Sequence, residues 1–154
     1  MNDHEDGSIK STAAIAGHPL HPMLVPFPIA FLVALPVVDA AFWSTGDPFW
    51  ARAALWLAGA GLLSGLAAAV PGLVDFATVQ RIRQHRAAWI HGVGNVLAMV
   101  LTFVNLWLRL DDPAAMILPA GLLLSLLVAL LLGVTGWYGG ELSYRHRVGV
   151  SGPK

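Results

Sequence analysis

The 154-residue chain contains no cysteine, which excludes disulfide bonds, thiolate metal sites and iron–sulfur ligation by this chain. Charged residues are also few, at 12% of the chain, whereas a soluble domain carries about 25%. Hydrophobic residues make up 56% of the chain, and the mean hydropathy is +0.67. Because so few charged side chains cannot cover a soluble globule, the composition predicts an integral membrane protein.

Four long apolar segments are each close to the roughly 20 helical residues that cross a bilayer core of about 30 Å. They are residues 25–43, 53–70, 91–108 and 116–138. Asp39, in the first segment, is the only charged residue in the four. The pattern predicts an all-α fold, an integral membrane bundle of four transmembrane helices formed by residues 17–147 as a single domain. A flexible acidic N-terminal tail at 1–16, which lacks the basic region of a signal peptide, and a C-terminal tail at 148–154 are expected to flank it.

Polar and small residues within the spans predict how the helices pack. In span three, residues at alternating spacings of four and three define one helix face, which is expected to point toward the bundle core. This face consists of His91, Asn95, Ala98, Thr102, Asn105 and Arg109. Pairs of small residues four positions apart, which let helices approach closely in lipid, are Gly61/Gly65, Gly121/Ser125 and Gly136/Gly140. Asp39 is expected to pair with Arg52 or Arg109.

An even number of spans places both termini on the same membrane face, called the near face below. Most basic residues belong to near-face segments: Lys10, Arg81, Arg83, Arg86, Arg145, Arg147 and Lys154. By the positive-inside rule the near face is expected to be cytoplasmic, which predicts a multi-pass protein of a bacterial inner membrane with both termini in the cytoplasm. Pro71-Gly72 is expected to end span two, and Asp75 to cap a short interfacial helix from 76 to about 85, before span three.

All six histidines fall on near-face segments or in the first turn of a span that leaves this face: His4, His18, His21, His85, His91 and His146. Asp75 and Glu141 fall there too. His18 and His21 each precede a proline, which disfavours the α conformation for both. A β-turn centred on the two intervening residues brings their Cα atoms within about 7 Å, whereas polyproline II places them roughly 9 Å apart. The sequence leaves both geometries open.

Three motifs occur in the near-face segments: GHPLHP at 17–22 followed by Phe27-Pro28, PGLVD at 71–75, and GGELSYRH at 139–146. With these motifs the chain, from about Gly17 onward, resembles the bacterial family catalogued as domain of unknown function 2231, a family of predicted membrane proteins. The resemblance implies a four-helix membrane fold and, in some relatives, fusion to iron–sulfur domains. It implies no particular activity.

Histidine is a common axial ligand of haem iron, and imidazole also suits copper, zinc and iron ions. The near-face histidines therefore predict a cofactor site with a redox or electron-transfer role, with haem b ahead of a bare transition metal. For haem, His18 or His21 is expected to bind across the iron from His91, and Asn95 lies one turn further along the same face. For a metal ion, the candidate ligands are His18, His21, His91, Asp75 and Glu141.

Two other functions remain open: a non-catalytic membrane subunit that recruits a partner, and a small transport or proton-relay component that uses the span-three face. No nucleophile–base pair, phosphate-binding loop or paired-carboxylate pattern is visible in the sequence, so an enzyme is not predicted. The lipid bilayer is the expected partner, together with another membrane or redox protein or a second copy of the chain. Nucleic acid is not expected.

Overall fold

The computed structural model describes residues 8–150. Within these residues there are two short strands, β1 (Ala14–Ile15) and β2 (His18–Pro19), and six α-helices. The helices are α1 (Leu20–Leu24), α2 (Pro26–Thr45), α3 (Pro48–Thr78), α4 (Gln80–Arg83), α5 (Arg86–Leu108) and α6 (Leu122–Gly140). A kinked turn at Ile117–Gly121, in which Leu118 has an extended backbone, precedes α6, and a π-helical turn, Glu141–Arg145, follows it.

Four helical segments within the described residues are long and apolar enough to cross a membrane, which confirms the four predicted spans. They are Leu20–Thr45, Pro48–Thr78, Arg86–Leu108 and Ile117–Arg145. Spans one and two pack together, as do spans three and four, and the two hairpins join through span one against four and span two against three. The fold is therefore an up-and-down four-helix bundle, which confirms the all-α prediction.

The connection between spans one and two shows why these helices form an antiparallel hairpin. Gly46 has a left-handed backbone with φ of 66°, which ends α2. The Asp47 carboxylate then accepts a hydrogen bond of 2.9 Å from the Phe49 backbone N–H and so caps α3. Pro48 occupies the first helical position, where a missing N–H costs nothing. Only two residues thus separate the two spans.

The middle of the bundle interior has an apolar core, and the outer surface of the bundle is apolar as well. Buried residues from all four spans form the core cluster of Leu32, Leu35, Ala54, Ala58, Ala98, Val128 and Leu132. Large hydrophobic side chains also cover the outside, among them Trp43, Trp56, Leu63, Trp107, Leu130 and Trp137. A surface of this kind is suited to contact with lipid rather than water.

The predicted close contact at span two is confirmed. A side chain added at Gly61 would collide with Leu32, and one added at Gly65 would collide with Met99. These glycines therefore lie where neighbouring helices approach most closely. In span four the prediction for Gly136 is wrong, because a Cβ there would meet no other atom within 4 Å.

A buried ion pair joins spans one and three at the far end of the bundle. The Arg109 guanidinium donates from Nη1 to Asp39 Oδ1 at 2.6 Å and from Nη2 to Oδ2 at 2.8 Å, and both side chains are 0% exposed. Arg109 Nε donates to Asn105 Oδ1 at 2.9 Å, and the Ser125 hydroxyl donates to Asp39 Oδ2 at 2.7 Å. The predicted pairing of Asp39 with Arg109 is confirmed. Ser125, predicted only as a packing residue, also takes part in the network.

The near-face end of span two differs from the prediction. Helix α3 continues through Pro71-Gly72, so this dipeptide does not end the span and Asp75 lies inside the helix. The interfacial helix shrinks to the four residues of α4, whose N-cap, Val79, provides no side-chain hydrogen bond. A proline removes one backbone hydrogen bond, but packed neighbouring helices tolerate the resulting kink in a membrane span. Pro71 is buried against such neighbours.

Asp75 instead holds the N-terminal residues 8–13, called the strap below, across the near-face end of the bundle. Its Oδ2 accepts from the Ser11 hydroxyl at 2.6 Å. Its Oδ1 accepts from the Thr12 N–H at 2.8 Å, the Thr12 hydroxyl at 3.0 Å and the Ala13 N–H at 2.9 Å. Four hydrogen bonds to one carboxylate fix the strap to the end of α3.

The strap also pairs with the C-terminal segment. The Ile9 N–H donates to the Arg147 carbonyl at 3.0 Å, and the Gly149 N–H donates to the Ile9 carbonyl at 2.8 Å. The Ile9 side chain completes a small apolar cluster with Ile82, Ala87, Ala88 and Leu142. Within the two expected tails, residues 8–16 and 148–150 therefore contact the bundle or each other. His4 and Lys154 lie outside the described residues.

Replacing Gly61 by leucine should lower the free energy of unfolding by about 1–3 kcal/mol, because the new side chain must displace Leu32 from a packed core. Thermal unfolding of the purified protein in detergent measures this loss. The control is Leu126→Ile on the exposed side of α6, which should leave the unfolding midpoint nearly unchanged. Equal losses in the two variants would show that Gly61 does not lie at a tight helix contact.

Arg109→Gln should destabilise the bundle by about 3–5 kcal/mol, because it leaves the buried Asp39 carboxylate without its partner. Arg52→Gln, at the exposed far-face cation, should change stability by less than about 0.5 kcal/mol. The double variant Asp39→Asn/Arg109→Gln should lose less stability than Asp39→Asn and Arg109→Gln lose together as single variants, because no charge is left unpaired. Strictly additive losses would contradict the coupling.

Candidate functional site

The double His-Pro motif adopts neither of the geometries that the sequence leaves open. Ala16 and Gly17, with φ of 49° and 79°, turn the chain between β1 and β2. His18 lies in β2, and the following residues form the first turn of α1 with His21 in its second position. Pro22 is tolerated there because a first-turn N–H has no partner within the helix. The motif therefore leaves His18 exposed and brings His21 into the bundle, where it is half-buried.

His21 and His91 meet inside the near-face end of the bundle. Their ring centroids are 5.9 Å apart and their planes are nearly perpendicular, at 89°. His21 Nδ1 lies 2.8 Å from the Ala68 carbonyl oxygen in α3, and His91 Nδ1 lies 2.8 Å from the Thr135 carbonyl oxygen in α6. Because a carbonyl only accepts, each neutral ring carries its proton on Nδ1 and keeps a lone pair on Nε2.

Each imidazole ring lies against a glycine one turn beyond the carbonyl that it binds. A Cβ at Gly72 would lie 2.8 Å from His21 Nδ1, and a Cβ at Gly139 would lie 2.9 Å from His91 Nδ1. Any larger residue at either glycine would have to displace the ring. The PGLVD and GGELSYRH motifs therefore contribute the glycines that make room for the two histidines.

Asn95 and Thr135 connect the pair to the helix interior. Asn95 Nδ2 donates to the His91 carbonyl at 2.8 Å and lies 3.3 Å from His91 Nε2. The Thr135 hydroxyl donates to Asn95 Oδ1 at 3.2 Å, which fixes the amide with its NH₂ group toward the ring. Asn95 is thus the polar side chain that faces the lone pair of His91.

Three other predicted ligands lie elsewhere. His18 is exposed, and its Nδ1 lies 3.0 Å from a carbonyl two residues earlier. Asp75 binds the strap, and Glu141 lies 3.3 Å from Arg145 and 3.8 Å from His146. No group of three or more histidines and carboxylates that could hold a metal ion occurs within residues 8–150. The structure thus brings together His21 and His91 and leaves the other three apart.

A second histidine pair, His85 and His146, stacks outside the spans with ring centroids 3.9 Å apart. Burial lowers the pKa of His85, and the neighbouring His146 and Arg81 lower it further. The stack joins the start of α5 to the end of span four. No spacing in the sequence indicates this contact, because it depends on how two distant segments fold over the near face.

The predicted span-three face points into the bundle, as expected, but it is not a continuous polar path. Thr102 and Asn105 are buried, and Thr102 satisfies its hydroxyl on the Ala98 carbonyl at 2.8 Å. Ala98 packs in the apolar core with Leu32 and Leu132. Apolar side chains of the described residues therefore separate the imidazole pair from the ion-pair network at the far end.

Comparison with known proteins places these motifs in a family. No curated protein and no solved structure matches the chain. The family described as "Predicted membrane protein (DUF2231)" matches residues 17–152, which include all three motifs and all four spans. The chain therefore belongs to the DUF2231 family of predicted membrane proteins.

Proposed function

We propose that this protein holds a transition-metal centre in the membrane, with His21 and His91 as its protein ligands and a redox or electron-transfer role. Haem b is the first candidate and a bare metal ion is the second, and His21 and His91 would hold either group. The observation that carries the proposal is the imidazole pair itself, in which both Nδ1 atoms are engaged by backbone carbonyls.

The geometry of the pair fits two ligands of one metal centre. An imidazole nitrogen binds zinc at about 2.0–2.1 Å, so the ring centroids of two ligands on one ion lie roughly 5–6 Å apart. The observed separation of 5.9 Å falls in that range. Metal-bound histidines almost always donate their other N–H to a carbonyl, a carboxylate or water, which fixes the tautomer and the ring orientation. His21 and His91 both have this arrangement.

The two rings also come from opposite halves of the bundle. His21 belongs to α1, which packs on α3, whereas His91 belongs to α5, which packs on α6. The bound group would supply one-electron chemistry, and the protein would fix its position through Ala68, Thr135 and Asn95.

A non-catalytic membrane subunit is the second candidate, and one observation favours it. Each imidazole already has a hydrogen-bond partner in another helix, so the pair also stabilises the bundle without a metal. A transport or proton-relay function receives less support, because the apolar core separates the two polar clusters of the span-three face.

The charges on the near face support a proposal for the protein's membrane location and for its partners. The near face carries the exposed cations Lys10, Arg81, Arg86 and Arg145. We infer from them a bacterial inner-membrane protein whose termini are cytoplasmic. The site then lies at the cytoplasmic end of the bundle, within reach of a redox protein or a further membrane subunit, and a second copy of the chain is another candidate partner.

A reporter enzyme that works only in the periplasm should be inactive when fused to either terminus and active when inserted at Asp111, between spans three and four. The physical reason is that the near-face arginines resist translocation. Reporter activity in intact cells measures the orientation. Activity at both termini would reverse the orientation and place the histidine pair at the periplasmic end.

His21→Ala and His91→Ala should each remove most of the bound haem or metal, because each deletes one of two ligands of the same centre. The protein is expressed with a haem precursor and added metals, and the bound group is measured by visible absorption and elemental analysis. His18→Ala and His85→Ala serve as controls and should retain it, since neither ring faces the pair.

A colourless, metal-free wild-type protein would end the cofactor proposal. In that case a non-catalytic membrane subunit is the remaining hypothesis, and it predicts that His21→Ala and His91→Ala change only stability or the recovery of a partner. A Soret band distinguishes haem from a bare ion, which elemental analysis identifies instead.

A further inference from the structure

The two helical hairpins share one arrangement of key residues. His21 and Asp39 in span one occupy the same relative positions as His91 and Arg109 in span three, because 70 residues separate the members of each pair. Spans two and four are related in the same way, because the number of residues between Ala68 and Thr135 equals the number between Gly72 and Gly139. In each hairpin, therefore, a histidine of the first helix binds a carbonyl of the second and rests on a glycine one turn beyond.

The pattern of buried residues repeats at the same two sequence separations along the whole length of the spans. Buried residues of α2 have buried counterparts in span three: Pro28 and Ala98, Leu32 and Thr102, Leu35 and Asn105, Asp39 and Arg109. Buried residues of α3 have buried counterparts in span four: Ala54 and Gly121, Ala58 and Ser125, Gly61 and Val128, Gly65 and Leu132, Ala68 and Thr135. The hairpins are thus two equivalent halves around a two-fold axis along the bundle, a parallel repeat. Most paired residues differ in type, so the sequence does not show the repeat.

A residue that contacts its own counterpart must lie at the two-fold axis, as in an isologous interface. His21 contacts His91 at one end of the axis, and Asp39 contacts Arg109 at the other. At the far end the counterparts carry opposite charges and neutralise each other. At the near end both counterparts are histidines, so neither of them can neutralise the positive charge of an ion bound between them.

The nearby carboxylates bind other groups and not the imidazole pair. Asp75 has both oxygens hydrogen-bonded to the strap, and Glu141 pairs with Arg145. The side chains that hydrogen-bond at the pair are an amide and a hydroxyl, both uncharged, and within residues 8–150 no carboxylate joins the two histidines in a group that could hold a metal ion. The desolvation penalty of an ion grows with the square of its charge, so a divalent ion in this apolar end is far more costly than a monovalent one.

We propose that the His21–His91 site binds a metal centre of low net charge on the internal two-fold axis. Among bare ions this is Cu(I), and for haem it is the iron, whose two positive charges are balanced by the porphyrin. Zn(II) is disfavoured because it carries two charges and takes four ligands, mostly in a tetrahedron. This inference rests on the proposed function and names its chemical class.

The test compares metals on the purified full-length protein in detergent. Cu(I), kept reduced, and Zn(II) are titrated separately against chromophoric chelators, and haem binding is followed by its visible spectrum. The expected result is one Cu(I) or one haem per chain, with Zn(II) bound at least about tenfold more weakly than Cu(I). Because the two halves are equivalent, His21→Ala and His91→Ala should weaken the binding to a similar extent.

Asn95→Asp adds a carboxylate 3.3 Å from His91 Nε2 and should raise Zn(II) affinity about tenfold or more relative to Cu(I) affinity, since a divalent ion gains more from a negative charge. Gln84→Glu makes the same charge change at an exposed near-face position and should leave the ratio unchanged. If Asn95→Asp does not insert, the wild-type ratio alone decides the inference.

Each outcome separates the two proposals. Wild-type protein that binds Zn(II) as tightly as Cu(I) through His21 and His91, and binds no haem, would overturn the low-charge inference and leave the proposed function standing. A protein that binds none of the three probes, or binds them equally well without either histidine, would overturn both.

Discussion

Lipid cannot form hydrogen bonds, so every polar group inside this bundle must find its partner within the protein. Among residues 8–150 no buried side-chain nitrogen or oxygen lacks one. The Asp39–Arg109 ion pair shows the constraint in its strongest form: two full charges are removed from solvent, and Asn105 and Ser125 take up remaining hydrogen-bonding positions. Such a pair adds little net stability over an apolar pair, but loss of either partner is severe. Here it connects spans one and three, which lie diagonally across the bundle from each other.

The same constraint explains which features the sequence predicts. Four apolar spans, the inward face of span three and the partner of Asp39 all follow from where polar groups are admissible in a membrane. The role of Asp75 does not follow, because its partners Ser11 and Thr12 are more than sixty residues away. Likewise, the sequence assigns all six histidines to near-face segments but does not reveal which two of them meet. The choice of His21 depends on the turn at Ala16–Gly17 and on the course of α3 beyond Pro71, both of which are set by tertiary packing.

The three near-face motifs act together to position the two histidines. Gly72 and Gly139 remove side chains where an imidazole must approach a helix, and the carbonyls of Ala68 and Thr135 select one tautomer of each ring. The first histidine of the double His-Pro motif lies in the exposed hairpin, and the second enters the bundle. The fold therefore fixes both rings in one orientation, and such preorganisation would lower the entropy cost of binding a ligand between them.

The antiparallel helix arrangement and the pairing of Ile9 with Val148 have a joint consequence for chain connectivity. Because the first and last described segments are adjacent, the order of the two hairpins along the polypeptide is not dictated by the packing. A circular permutant that links the present termini and opens between α4 and α5 would run from the second hairpin to the first and could enclose the same interior. The order in which the two hairpins are synthesised would then differ while the packed interior stayed the same.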